Sequence, residues 1–195
     1  MKVLTEKRCY IGEGPIWNER EERLYFTNGK LREICMYDFK KETLTVRPVP
    51  AWVAAIAFDR KNRLILSHAG GVHLLGDKDE LCPLYDEEKY SIKHAADMKV
   101  GPDGGLYVGT ISEKFLGVSE KVDGKLYRIS PHGEVEILLD GLLLPNGLDW
   151  SIDEKKFYHA DTGKALIKEY FFDKKTGKIT FSGRQVCVEL SFFGF

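Results

Sequence analysis

No stretch of this chain approaches the roughly 20 consecutive apolar residues that a membrane-crossing helix needs. The opening Met1-Lys2-Val3-Leu4-Thr5-Glu6-Lys7-Arg8 lacks the apolar centre of a secretory leader. Both absences lead to the expectation of a soluble, cytoplasmic protein with no membrane partner. An excess of one charge sign is lacking too: 29 basic residues stand against 30 acidic ones, the net charge is -1, and there is no basic block. That removes the electrostatic footprint of a dedicated nucleic-acid binder. Cysteine is scarce, and Cys9, Cys35, Cys82 and Cys187 have neither metal-site nor redox-motif spacing, so they are read as reduced cysteines on strands. There is no Gly-x-Ser-x-Gly elbow, no His-Glu-x-x-His and no phosphate-binding glycine loop. Helical apolar periodicity is also missing, which leaves short strands as the building material.

What is present is a repeat. Ile16-Trp17, a polar turn and Leu24-Tyr25-Phe26 form one copy of a two-strand unit. Ile56-Ala57-Phe58 with Leu64-Ile65-Leu66, Met98-Lys99-Val100 with Leu106-Tyr107-Val108, and Leu148-Asp149-Trp150 with Phe157-Tyr158-His159 form three more. Trp17, Phe58, Val100 and Trp150 are separated by steps of 41, 42 and 50 residues, the longest step containing the insertion 112–123. Each copy continues into a third strand, a polar hairpin and an outer strand; these outer strands are Leu44-Thr45-Val46, Leu81-Cys82-Pro83-Leu84, Val135-Glu136-Ile137-Leu138 and Ile179-Thr180-Phe181. Four short strands per period of roughly 40 to 50 residues are the mark of propeller blades. The fold class expected is therefore all-β, a β-propeller of four-stranded antiparallel blades, with 1–195 as a single domain.

In a propeller the innermost strands converge on a central tunnel, so the residues just before each first strand can meet there. Those positions are Glu13 with Gly14 and Pro15, the stretch 52–55, the stretch 94–97, and Asn146 with Gly147. A carboxylate, a carboxamide and an aspartate from separate blades make the hard-oxygen set that suits calcium, magnesium or manganese. A glutamate beside flexible residues is also a common solvated turn, and Asn-Gly a common hairpin pair. The equivalent placement of Glu13 and Asn146 in different repeats is what favours a metal.

Four motifs in register then carry a family resemblance: Gly-Glu-Gly-Pro-Ile-Trp at 12–17, Val-Gly-Pro-Asp-Gly with Tyr-Val-Gly-Thr within 100–110, Gly-Lys-Leu-Tyr-Arg at 124–128, and Leu-Pro-Asn-Gly-Leu-Asp-Trp-Ser followed by Phe-Tyr-His-Ala-Asp within 144–161. Together they resemble the SMP-30/gluconolactonase/regucalcin (LRE-like) family over essentially the whole chain. The resemblance implies a six-bladed propeller, of which about four blades are present here, hydrolysing a small-molecule sugar lactone such as gluconolactone. It implies one divalent cation (calcium, zinc, magnesium or manganese), with Glu13 and Asn146 as metal ligands. The family's third ligand, an aspartate in a Pro-Asp-Gly motif opening the fifth blade and the favoured proton-transfer residue, has no match before Phe195. The catalytic residue is therefore unassigned, and the chain is expected to be C-terminally truncated.

Two candidate substrate contacts follow from the same resemblance. In the segment His94-Ala95-Ala96-Asp97-Met98, His94 stands where the family has an arginine and Ala96 where it has an asparagine; an alanine offers no side-chain hydrogen bond to a sugar hydroxyl. Glu113, after Gly109-Thr110, sits where an acidic residue contacts substrate. Asp161 is expected to serve hydrogen bonding at a blade turn, and Pro102-Asp103-Gly104 to be a type I turn. A lactonase is the leading expectation, and a non-catalytic calcium- or metal-binding regulatory propeller or an inactive fragment is the alternative.

Overall fold

The computed structural model describes residues 3–187 and consists of four four-stranded antiparallel meanders laid side by side. The first comprises β1 (Gly12–Asn18), β2 (Arg23–Asn28), β3 (Glu33–Asp38) and β4 (Thr43–Pro48). The second comprises β5 (Ala55–Phe58), β6 (Leu64–His68), β7 (Gly71–Leu75) and β8 (Leu81–Pro83). β9 (Ala95–Val100), β10 (Leu106–Thr110), β11 (Gly124–Ile129) and β12 (Val135–Leu142) form the third. β13 (Pro145–Trp150), β14 (Lys156–Asp161), β15 (Leu166–Asp173) and β16 (Lys178–Cys187) form the fourth. Within each sheet the strands lie in chain order, so each is a propeller blade built from successive hairpins.

Alternation along the strands determines how the blades pack. Ile16 and Tyr25 of the first blade face Ile56 and Leu66 of the second, with Ile34 and Val53 completing a buried cluster. Ala55, Ala57 and Val72 pack against Met98, Leu106 and Val108 between the second and third blades. Tyr107 and Leu126 meet Leu148, Phe157 and Phe172 between the third and fourth. The small residues of β5 let the inner strands approach closely, whereas the wider space toward the rim is filled by aromatic rings; Tyr107 lies edge-on to Trp150 at a centroid distance of 4.9 Å. Three interblade cores thus fix the order of the four inner strands.

The structure departs from the sequence expectation in three local ways. β12 and β16 run several residues past the apolar triplets that announced them, because their ladders continue across β-bulges, between Leu126 and Tyr127 and between Lys168 and Tyr170. β8 ends at Pro83, which has no amide hydrogen to extend a ladder. All four thiols are free, but Cys9 precedes β1 and is not on a strand. The turn at Asp103 is as expected: the Gly104 amide donates to the Gly101 carbonyl at 2.9 Å, and Arg128 clamps the buried Asp103 carboxylate from Nε at 2.7 Å and Nη2 at 2.5 Å. No helix among the described residues is long and apolar enough to cross a membrane. The segment Ser191-Phe192-Phe193-Gly194-Phe195 lies outside the described residues.

Phe157 is fully buried in the third core, so Phe157→Ala is expected to lower the unfolding free energy by about 3–5 kcal/mol. Ile152, fully exposed in the turn that precedes β14, gives a change within about 0.5 kcal/mol on replacement by alanine. Urea titrations of the two variants beside the parent check the contrast.

Candidate functional site

The inner strands do not run straight into the tunnel. In β1 the pairing steps from Glu13↔Thr27 to Ile16↔Tyr25, so one extra residue is accommodated, with Gly14 at φ +57°. β13 does the same between Pro145↔Asp161 and Leu148↔His159, with Gly147 at φ +121°. β9 carries a third irregularity between Met98↔Val108 and Ala95↔Thr110, the interval that holds Ala96 and Asp97. Such bulges re-aim side chains at the ends of strands, and a left-handed backbone at the first two is what glycine permits without strain. β5 pairs without a bulge and offers Ala55 at the same level. Three blades therefore contribute an oxygen-bearing side chain, Glu13, Asp97 and Asn146, and the second contributes a methyl group.

Hydroxyl groups one strand further out hold these positions. Thr27 Oγ1 donates to the Glu13 carbonyl at 3.2 Å, and Thr162 Oγ1 donates to the Asn146 carbonyl at 3.4 Å. Ser67, buried between blades, accepts the Ala55 amide at 3.0 Å and donates to the Ala96 carbonyl. Asp161 accepts the amides of Leu143 and Leu144 at 3.0 and 2.9 Å, pinning the loop that delivers Asn146. It does the blade-turn hydrogen bonding expected of it.

Glu13, Asp97 and Asn146 line a cleft of about 590 Å³ that runs along the four inner strands. The same three residues, with Ala54, form the floor of a smaller cavity of about 180 Å³ on the loop side. His94 is on the wall of that second cavity, its backbone set at φ +54° and held by bonds to the Ala69 carbonyl and the Ile111 amide. Glu113 lines neither space; its carboxylate accepts the Ser119 hydroxyl at 2.6 Å and lies 3.9 Å from Lys121 Nζ, within its own loop. Of the four side chains singled out from sequence, the fold brings Glu13, Asn146 and His94 together and leaves Glu113 apart.

Asp97 emerges as a central member of the site. Its Oδ2 accepts the Gly147 amide at 2.9 Å, linking the third blade to the bulge of the fourth beside Asn146. Burial pushes its carboxyl above the ordinary aspartate range, against the opposing pull of the Gly147 and Met98 amides. Burial and then the charge of Asp97 push Glu13 upward as well. Lys99, the cationic side chain on the cleft wall, is engaged with Asp149 at 2.6 Å. Among the described residues no ion pair reaches Glu13, and the Asn146 carboxamide has no hydrogen-bond partner. Two carboxylates and a free amide oxygen on one wall fit a hard divalent cation, whose charge would offset the burial that raises both acids and the effect of Asp97 on Glu13. Among the described residues no three histidine, cysteine, aspartate or glutamate side chains converge to hold a metal.

Four-stranded antiparallel blades side by side, with bulged inner strands framing an acidic cleft, are the architecture of a β-propeller. Residues 11–192 match the SMP-30/Gluconolactonase/LRE-like region, and the chain belongs to that family. It is 28% identical over 184 residues to regucalcin of Bos taurus, a match covering 92% of this chain and 61% of the relative's length. In structure it is similar to a calcium-binding protein, regucalcin, from Agrobacterium tumefaciens, with a TM-score of 0.78, 22% identity, and coverage of 95% of this chain and 61% of the other. It is also similar to a gluconolactonase from Xanthomonas campestris, with a TM-score of 0.75, 20% identity, and coverage of 92% and 63%. These likenesses cover the four blades described here and somewhat under two thirds of each relative.

The raised carboxyls make a prediction about the metal-free protein. Acids whose folded pKa lies above the unfolded value stabilise the fold at low pH, and that contribution is lost as pH rises through the folded values. With divalent cations chelated, Asp97→Asn should therefore flatten the fall in stability from about pH 4 upward and gain on the parent at pH 7. Urea unfolding across that range checks it; parallel curves for parent and variant would count against the interpretation.

Proposed function

We propose that this site carries out divalent-cation-assisted hydrolysis of a lactone, as the gluconolactonase resemblance implies. The observation that carries the reading is the convergence of Glu13 and Asn146 on one cleft, with a glutamate carboxylate that no ion pair among the described residues reaches. Glu13 and Asn146 would hold the cation, and Asp97 would orient the Asn146-Gly147 bulge through its bond to the Gly147 amide. A bound divalent cation supplies Lewis-acid polarisation of the lactone carbonyl. Asp97 is the other carboxylate on the cleft wall and the acceptor for the proton of an attacking water. The interblade bonds of Ser67 and the clamp of Asp161 keep these groups in fixed positions, which supports orientation of the ester within reach of that acceptor.

A second reading, a metal-binding propeller without catalysis, is favoured by a donor set with only two acids from the described residues. Calcium-dependent opening of a lactone by the purified chain separates the two. In either case Glu13→Gln is expected to abolish calcium binding measured by titration calorimetry, since the carboxamide keeps the shape and removes the charge. Unchanged calcium affinity in that variant would refute the ligand assignment.

A further inference from the structure

The loop-side cavity shares Glu13, Asp97 and Asn146 with the main cleft, yet the wall above them has a different character. Trp52, Ile111, Leu116 and Leu144 surround it, and Ala96 lies beside Asp97 at its base. The polar groups on that wall, among the described residues, are two histidines and the indole N–H of Trp52. His68 is already committed at both nitrogens. Its Nδ1 accepts the Gly70 amide at 3.1 Å, which leaves Nε2 to donate to His73 Nδ1 at 2.9 Å, and His73 Nε2 then reaches the Glu87 carboxylate at 3.0 Å. The His68 ring therefore presents carbon to the cavity and offers it no donor. His94 and the Trp52 indole N–H remain to meet ligand hydroxyls on this wall.

On this basis we infer that the pocket selects a lactone carrying an apolar substituent, with the ester at Glu13, Asp97 and Asn146 and the substituent against Ile111, Leu116 and Leu144; the inference rests on the lactonase reading above. A polyhydroxylated ring would bury several hydroxyls here against two side-chain partners, His94 and Trp52, and each hydroxyl left unpaired weakens binding roughly tenfold or more. Each methylene buried against the same wall strengthens it roughly fourfold. The reaction is unchanged by the substituent: a water oxygen bonds to the acyl carbon, the bond from that carbon to the ring oxygen breaks, and the ring oxygen leaves as a hydroxyl bearing a proton. The product is a hydroxy acid, and no oxidant or reductant is needed.

The test compares calcium-dependent hydrolysis of δ-decalactone and D-glucono-δ-lactone by the full chain, together with calorimetric binding, without metal, of the lactam analogue of δ-decalactone. The expected result is at least a tenfold higher kcat/KM for δ-decalactone, with that ratio reduced at least fivefold by Leu116→Asp. Leu116 is exposed on its loop, and Ile111→Thr provides a second probe of the same wall should Leu116→Asp disturb folding. Preference for gluconolactone would overturn the inference and leave the lactonase reading standing. Lactam binding that Leu116→Asp weakens, with neither lactone opened, would uphold the apolar pocket while the hydrolase reading fails. Neither opening nor binding would overturn both.

Discussion

Two carboxyls facing one cleft, Glu13 and Asp97, both displaced upward by burial, are the constraint on which the site depends. The charge of Asp97 raises Glu13 further, which marks a local surplus of acidic groups where the inner strands meet. A fold tolerates such a surplus only where surrounding contacts over-determine the positions of the groups, and strain of this kind gathers at functional sites. Lys99, the cation on the cleft wall, is paired with Asp149 and only partly offsets the burial of Asp97. The surplus is thereby left for something from solution.

The over-determination comes from two levels of the structure. At the larger scale, three interblade cores leave the four inner strands little freedom to slide, since moving one blade would expose residues such as Leu66 and Val108 that are wholly buried. At the smaller scale, Thr27, Ser67 and Thr162 each bind backbone at the position that projects into the site, and Asp161 fixes the approach to Asn146. These bonds run from the second strand, or from the turn that follows it, to the first, so the geometry of the site is inherited from the blade hairpins. The faces turned away from the cores are more open: Trp17 and Phe39 remain half-exposed on the first blade, as do Ile167 and Phe171 on the fourth.

Much of this could be read from the residues alone, and the part that could not has physical causes. The blades were legible because two-residue alternation and Gly/Asp turns recur at a nearly constant spacing, and Glu13 and Asn146 because they precede equivalent strands. The bulges were not, since an extra residue in β9 leaves no glycine to announce it and shows only in the register between Met98 and Ala95. The role of Asp97 is not legible because its bond to Gly147 joins residues 50 positions apart. Glu113 shows the converse, where equivalence in the repeat gives a location but the direction of the side chain is decided by Ser119 and Lys121 in the inserted loop. The neutral edge of His68 depends on Gly70 and His73, a tautomer argument that no spacing rule contains.

The central claim is that Glu13 and Asn146 share one divalent cation. Crystals of the chain grown with manganese, measured for anomalous scattering, test it directly. The account predicts a single strong peak within coordination distance, about 2.1–2.4 Å, of a Glu13 carboxylate oxygen and of Asn146 Oδ1. A manganese peak elsewhere in the molecule, with none between these two side chains, would contradict it.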